Sequence, residues 1–214
     1  PAFRAEVART ILEKHDKLTD DRLMNSLLAV SSIDEAIAYY DLFRELQEGP
    51  LCPAAGPLQI ACIFSPATDT GATSAPGDDD EDEDLSQEKR DVKQHPAQKR
   101  EALCRIIADY NQRYGTVCSI DEFDKYSEDL QLRIQDHKNR ELPSNQKIDL
   151  TIVVDMLLTG FDSPYLNTLY VDKPLVHHRL IQAFSRTNRI LHAAKPHGNI
   201  LDFRGQKAAV DEAI

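Results

Sequence analysis

The sequence predicts an α/β fold: a mostly parallel five-stranded sheet flanked by helices, with an acidic loop insertion. Three observations carry that prediction. Strand-like apolar runs alternate along the chain with stretches of helical periodicity, which implies parallel pairing through right-handed crossovers. Ile148 to Asp155, IDLTIVVD, is almost continuously apolar, as expected of a strand buried on both faces. Each run is also bounded by Gly, Pro or capping residues that set where it stops.

The elements follow in order. Phe3 to Lys14 is an amphipathic helix, with Phe3, Val7 and Ile11 at four-residue intervals. Asn25 to Val30 is a short apolar strand. Ser32 and Glu35 then form a capping-box pattern, and Ile33, Ile37, Tyr40 and Phe43/Leu46 continue one stripe to the stop at Gly49-Pro50. Leu58 to Phe64 is the second strand. Arg100 to Tyr114 is a helix with Leu103, Ile106/Ile107 and Tyr110 inward, ended at Gly115. Phe123 to about Asn139 is another, with Tyr126, Leu130 and Ile134 on one side. The remaining strands are Ile148 to Val154, Leu166 to Val171 and Asn199 to Phe203. The domain division is a leading helix over 1–18, one lobe over 19–206 and the start of a further helix over 207–214. Within the lobe, 66–98 is read as a mobile acidic insertion, because its Pro, Gly, Ser, Thr and acidic residues bury too little apolar surface to offset their ordering entropy.

Charge points in the same direction once it is located. The net charge of -11 over 214 residues argues against binding nucleic acid through a global field. Asp78 to Asp84, DDDEDED, supplies seven of those negative charges and leaves -4 for the rest, so any nucleic-acid contact depends on local patches. No apolar run approaches the roughly 20 residues that span a bilayer, and a cytoplasmic protein is expected. Cys52, Cys62, Cys104 and Cys118 lack C-x-x-C spacing and read as reduced, mostly packing thiols. His177 and His178 are adjacent, and neighbours on a helix point about 100° apart, so no metal site is expected. A chain running from Pro1 to a helix-like DEAI is expected to be a fragment of a longer polypeptide.

The candidate site combines a turn and a helix. After the buried strand, Met156 to Asp162 leaves the sheet through Gly160, and Pro164 blocks an immediate helix. Ligands of open α/β sheets bind at the carboxyl ends of strands, where Thr159, Gly160 and Asp162 are expected. Leu180, Ile181, Phe184 and Leu191 mark a packing face on the next segment. Gln182, Arg186 and Arg189 recur at i, i+4 and i+7, which puts them together on another face. Two guanidiniums in register suit the oxygens of a transferring phosphoryl group; a solvated helix face paired with carboxylates accounts for the same arginines.

MLLTGFDSPYLNTLYVDKPLVHHRLIQAFSRTNRIL resembles motifs V and VI of the R (motor/restriction) subunit of type I restriction-modification enzymes, members of helicase superfamily 2. Most other branches carry Gly before the first motif VI arginine, where this chain has Ser185-Arg186. Met24 to Leu46 and Leu58 to Ser65 resemble the motif IV region of the same subunit, so the resemblance covers about two-thirds of the chain and is weakest over 66–98. It implies the second RecA-like lobe of a DNA translocase. The chain has no G-x-x-x-x-G-K-[S/T] phosphate loop and no D-E-x-x metal-holding sequence at a strand end. By the resemblance, ATP and Mg²⁺ are held mainly by a first RecA-like lobe of the same polypeptide, which also carries a nuclease domain. The implied partners are methyltransferase and specificity subunits and double-stranded DNA, in a bacterial or archaeal cytoplasm. Arg186 and Arg189 would stabilise phosphate, with Arg189 as arginine finger. Gln182 would position the attacking water or γ-phosphate. Thr159, Gly160 and Asp162 would couple the nucleotide cleft to the DNA backbone, and the Ser65 hydroxyl or nearby amides would touch a DNA phosphate. Two other readings fit the residues: another superfamily 2 helicase or remodeller, and a non-catalytic α/β module whose arginines bind phosphate on DNA or a partner.

Overall fold

A computed structural model of the chain describes residues 2–66, 91, 94–135, 143–158, 161–174, 187 and 197–206. Its centre is a five-stranded sheet in the order β2-β3-β1-β4-β5, formed by β1 (Asn25–Val30), β2 (Ile60–Ile63), β3 (Leu150–Val153), β4 (Leu166–Asp172) and β5 (Asn199–Asp202). Every pairing is parallel, so the sheet is wholly rather than mostly parallel. This is the RecA-like α/β class. All residues of β1, β3 and β4 are buried, which explains why their sequences read as apolar runs instead of alternating ones.

The helices are α1 (Ala2–Leu18), α2 (Ile33–Gln47), α3 (Pro96–Tyr114) and α4 (Phe123–Gln135). Val7, Ala8, Ile11 and Leu12 of α1 join the same apolar core as Tyr39 and Phe43 of α2 and Leu103, Ile106 and Ile107 of α3. The capping pattern of α2 is realised at its first residue: the Ser32 hydroxyl accepts from Glu35 N at 3.1 Å. Gly115, at φ 68°, closes α3, and its N–H reaches the Asn111 carbonyl. Cys62 is buried, Cys104 is exposed, and Cys52 and Cys118 lie between; all four are free thiols, with Cys62 inside the apolar core and Cys118 packed against it.

Two features depart from the sequence expectations. The insertion does not extend to residue 98: α3 already begins at Pro96, and Asp91 is buried with its carboxylate accepting from Ile33 N at 3.1 Å. That carboxylate complements the positive end of α2, and such order is not visible in composition. The second feature is a run of three non-glycine residues in the left-handed region, Asp20, Asp21 and Arg22, directly after α1. Each costs roughly 1–2 kcal/mol in isolation. Arg22 holds the run in place by donating to Asp16 at 2.7 Å and to the Gly56 carbonyl at 2.8 Å.

Candidate functional site

Parallel strands put all their carboxyl ends on one edge. In register, Ile63 pairs with Val153, Val30 with Asp172, and Val171 with Asp202. Ser65, half-buried, is two residues past β2 and therefore lies at this edge. Thr159, Gly160, Gln182, Arg186 and Arg189 lie outside the described residues.

Asp162 departs from expectation. It is carried away from the carboxyl edge because β4 is parallel to β3, and the chain must travel back the length of the sheet before Leu166. By Asp162 that return is nearly complete. Its carbonyl accepts from Gln135 Nε2 at 3.1 Å in the last turn of α4, and Tyr165 O takes the N–H of Asn25, the first residue of β1. Ser65 and Asp162 are thus at opposite edges of the sheet. Thr187, between Arg186 and Arg189 in the sequence, lies in a turn. Thr187 is fully buried against Gly198, where a Cβ would overlap both its side chain and its carbonyl oxygen.

The carboxyl edge carries a charged network that motif reasoning missed. Lys173, 5% exposed, donates at 2.7 Å to the Val154 carbonyl and at 2.7 Å to Asp155 Oδ1. Beside it, the buried Asp172 accepts from Tyr39 OH at 2.5 Å through Oδ2. Arg204 Nε stands 2.6 Å from Asp172 Oδ1, an ion pair without the alignment of a hydrogen bond. Burial, then Asp172, raise the Tyr39 hydroxyl far above its ordinary range, so it remains a donor at neutral pH. Gln206 donates to the Lys173 carbonyl at 2.9 Å and is itself held by Asp202. The sequence signal was present: Asp155 and Lys173 each stand at the end of a mostly apolar strand run, where an ionisable group needs a partner.

A second buried carboxylate lies at the opposite edge. Asp149 precedes β3, accepts from Gln59 N at 2.8 Å and stands 3.8 Å from Arg22. Burial outweighs these favourable contacts and pushes it up to about 6. Among the described residues no group of His, Cys, Asp and Glu is arranged to hold a metal ion, and no helix is long and apolar enough to cross a membrane.

With this geometry, comparisons with known proteins converge. Residues 22–205 match the family model described as type I restriction enzyme subunit R domain 3. The chain is 38% identical over 208 residues, 97% of its length, to the type I restriction enzyme SauCOLORF180P endonuclease subunit of Staphylococcus aureus (strain COL). It is 36% identical over the same length to the SsaAORF53P endonuclease subunit of Staphylococcus saprophyticus. In both cases it spans only 20% of the relative. The matched span runs from the turn before β1 to the end of β5, taking in the whole parallel sheet, and the chain belongs to the R-subunit family of type I restriction enzymes, as domain 3 of that subunit.

Proposed function

We propose that this domain is the second motor lobe of a type I restriction endonuclease R subunit. It supplies motifs IV to VI for ATP-dependent translocation of double-stranded DNA that ends in cleavage. The observation that carries the reading is where the motifs fall in the fold. In the sequence Thr159-Gly160-Phe161-Asp162 falls between β3 and β4, and Gln182 to Arg189 falls between β4 and β5, so both motifs belong to connections that follow strands of the parallel sheet. A second lobe of this kind lends arginines and turns to a nucleotide gripped elsewhere, which agrees with the missing phosphate loop.

In this reading a first RecA-like lobe and the nuclease domain belong to the same polypeptide, and that lobe holds ATP and Mg²⁺. Methyltransferase and specificity subunits complete a cytoplasmic enzyme. ATP closes the two lobes, and hydrolysis opens them. Arg186 and Arg189 stabilise the charge that develops on the transferring phosphoryl group, and Gln182 positions the attacking water or the γ-phosphate. Thr159 and Gly160 couple nucleotide state to the DNA backbone. Ser65, at the carboxyl edge, contacts a backbone phosphate.

The test is Arg186→Ala and Arg189→Ala, each in the intact R subunit assembled with its partner subunits. ATP turnover should fall by about 10²-fold or more, with translocation lost and assembly preserved. A solvated helix face predicts a stability change within about 0.5 kcal/mol and near-normal turnover. Normal triplex displacement by both variants would sink the motor reading.

A further inference from the structure

In the sheet order, β1 lies between β3 and β4, so no backbone hydrogen bond joins the exits of those two strands. Lys173 bridges them. Its Nζ spans the end of β1 and lies 2.7 Å from both the Val154 carbonyl and Asp155 Oδ1. The side chain is almost entirely buried. Removing an ammonium from water is expensive, and a buried ion pair commonly breaks even against an apolar side chain of the same size. Stability is therefore a weak reason for a lysine here. What the ammonium supplies, and a methionine would not, is a fixed distance between two loops, because both of its acceptors sit on the β3 exit. Its own backbone is fixed in turn: Gln206, beyond β5, donates to the Lys173 carbonyl at 2.9 Å. One residue thus ties together the exits of β3, β4 and β5.

We propose that Lys173, with Asp155 as its counter-ion, is a positioning residue that holds the exits of β3 and β4, after which motifs V and VI follow in the sequence, at one fixed distance during the ATP cycle. The proposal rests on the motor-lobe reading. Thr159-Gly160 begins four residues after Asp155, and Gln182, the first of the polar residues assigned to motif VI, comes nine residues after Lys173. Without the latch, the exits of β3 and β4 keep their residues but lose their registration to each other. Misplacement by about 1 Å at a distance from the reacting atoms is enough to lower a rate by about 10²-fold.

The test uses the intact R subunit in the assembled enzyme, with Lys173→Met, Asp155→Asn, the double variant and Arg189→Ala measured side by side. DNA-stimulated ATP turnover, the KM for ATP, triplex displacement and thermal melting are read on the same preparations. The latch predicts that each single variant loses at least about tenfold in kcat and in displacement while KM stays within about twofold, since binding groups remain and alignment is lost. The double variant should be no worse than either single one, because both remove the same contact. If Lys173→Met does not fold, Asp155→Asn, which preserves shape, carries the kcat test alone. Turnover within about twofold of wild type in the folded latch variants, or losses that multiply in the double variant, overturns the proposal. If Arg189→Ala abolishes turnover while the latch variants are normal, only the latch falls; normal turnover by Arg189→Ala removes the motor reading and the latch with it.

Discussion

At the residue scale, the unusual groups are carboxylates kept where water is scarce. Asp172 is matched by Tyr39 and Arg204, and Asp91 by the first N–H of α2. Asp149 is matched least well. Its one short bond comes from Gln59 N, and burial raises it from the ordinary 3.8 to about 6. A carboxyl that binds its proton more tightly folded than unfolded contributes stability fully present below about pH 4 and lost as pH rises through about 6. Asp149→Asn keeps an oxygen for Gln59 N and removes the titration. Urea unfolding should therefore show the variant gaining on wild type by about 1 kcal/mol between pH 5 and pH 8. A difference that stays constant over that range would show that Asp149 titrates normally.

At the element scale, the decisive contact is between Thr187 and Gly198. Gly198 precedes β5, and Thr187 packs against it so closely that a methyl group has no room. The contact holds Thr187 against the residue that precedes the edge strand β5. Gly198→Ala must displace either β5 or Thr187, and overpacking of this kind typically destabilises by 1–3 kcal/mol. Melting should fall by a few degrees, while ATP turnover of the intact subunit should fall about tenfold or more, because the arginines on either side of Thr187 shift with it. Gly56, where a Cβ meets nothing within 4 Å but φ is +95°, is the control: alanine there strains the backbone and should affect melting without a matching loss of turnover. Equal turnover losses in both variants would remove the special role of the Thr187 contact.

At the scale of the whole molecule, the sheet, α1, α2, α3 and α4 share one continuous apolar core. A chain of this kind is expected to fold on its own and unfold cooperatively. It has the arginines proposed for the transition state but no phosphate loop to hold the nucleotide. The 214-residue chain alone should show a single urea transition and ATP hydrolysis no higher than background, with or without duplex DNA. Robust DNA-stimulated turnover from it would overturn the division of labour between two lobes.

The periodicities were sufficient to determine the order and type of the elements. β1 was delimited to the residue, α2 was located by its Ser32/Glu35 cap, and α3 by Gly115, because caps, turns and buried runs are local effects written in consecutive residues. The motif resemblance likewise led to the family through short, contiguous strings. What the local sequence did not contain was which strand ends meet. The removal of Asp162 to the amino edge follows from parallel pairing of β3 and β4 around β1; the anchoring of Asp91 under α2 and the reach of Lys173 to Asp155 also depend on groups far apart in sequence. Buried charges need partners, but the sequence states only the need; sheet order decides which partner is within 3 Å.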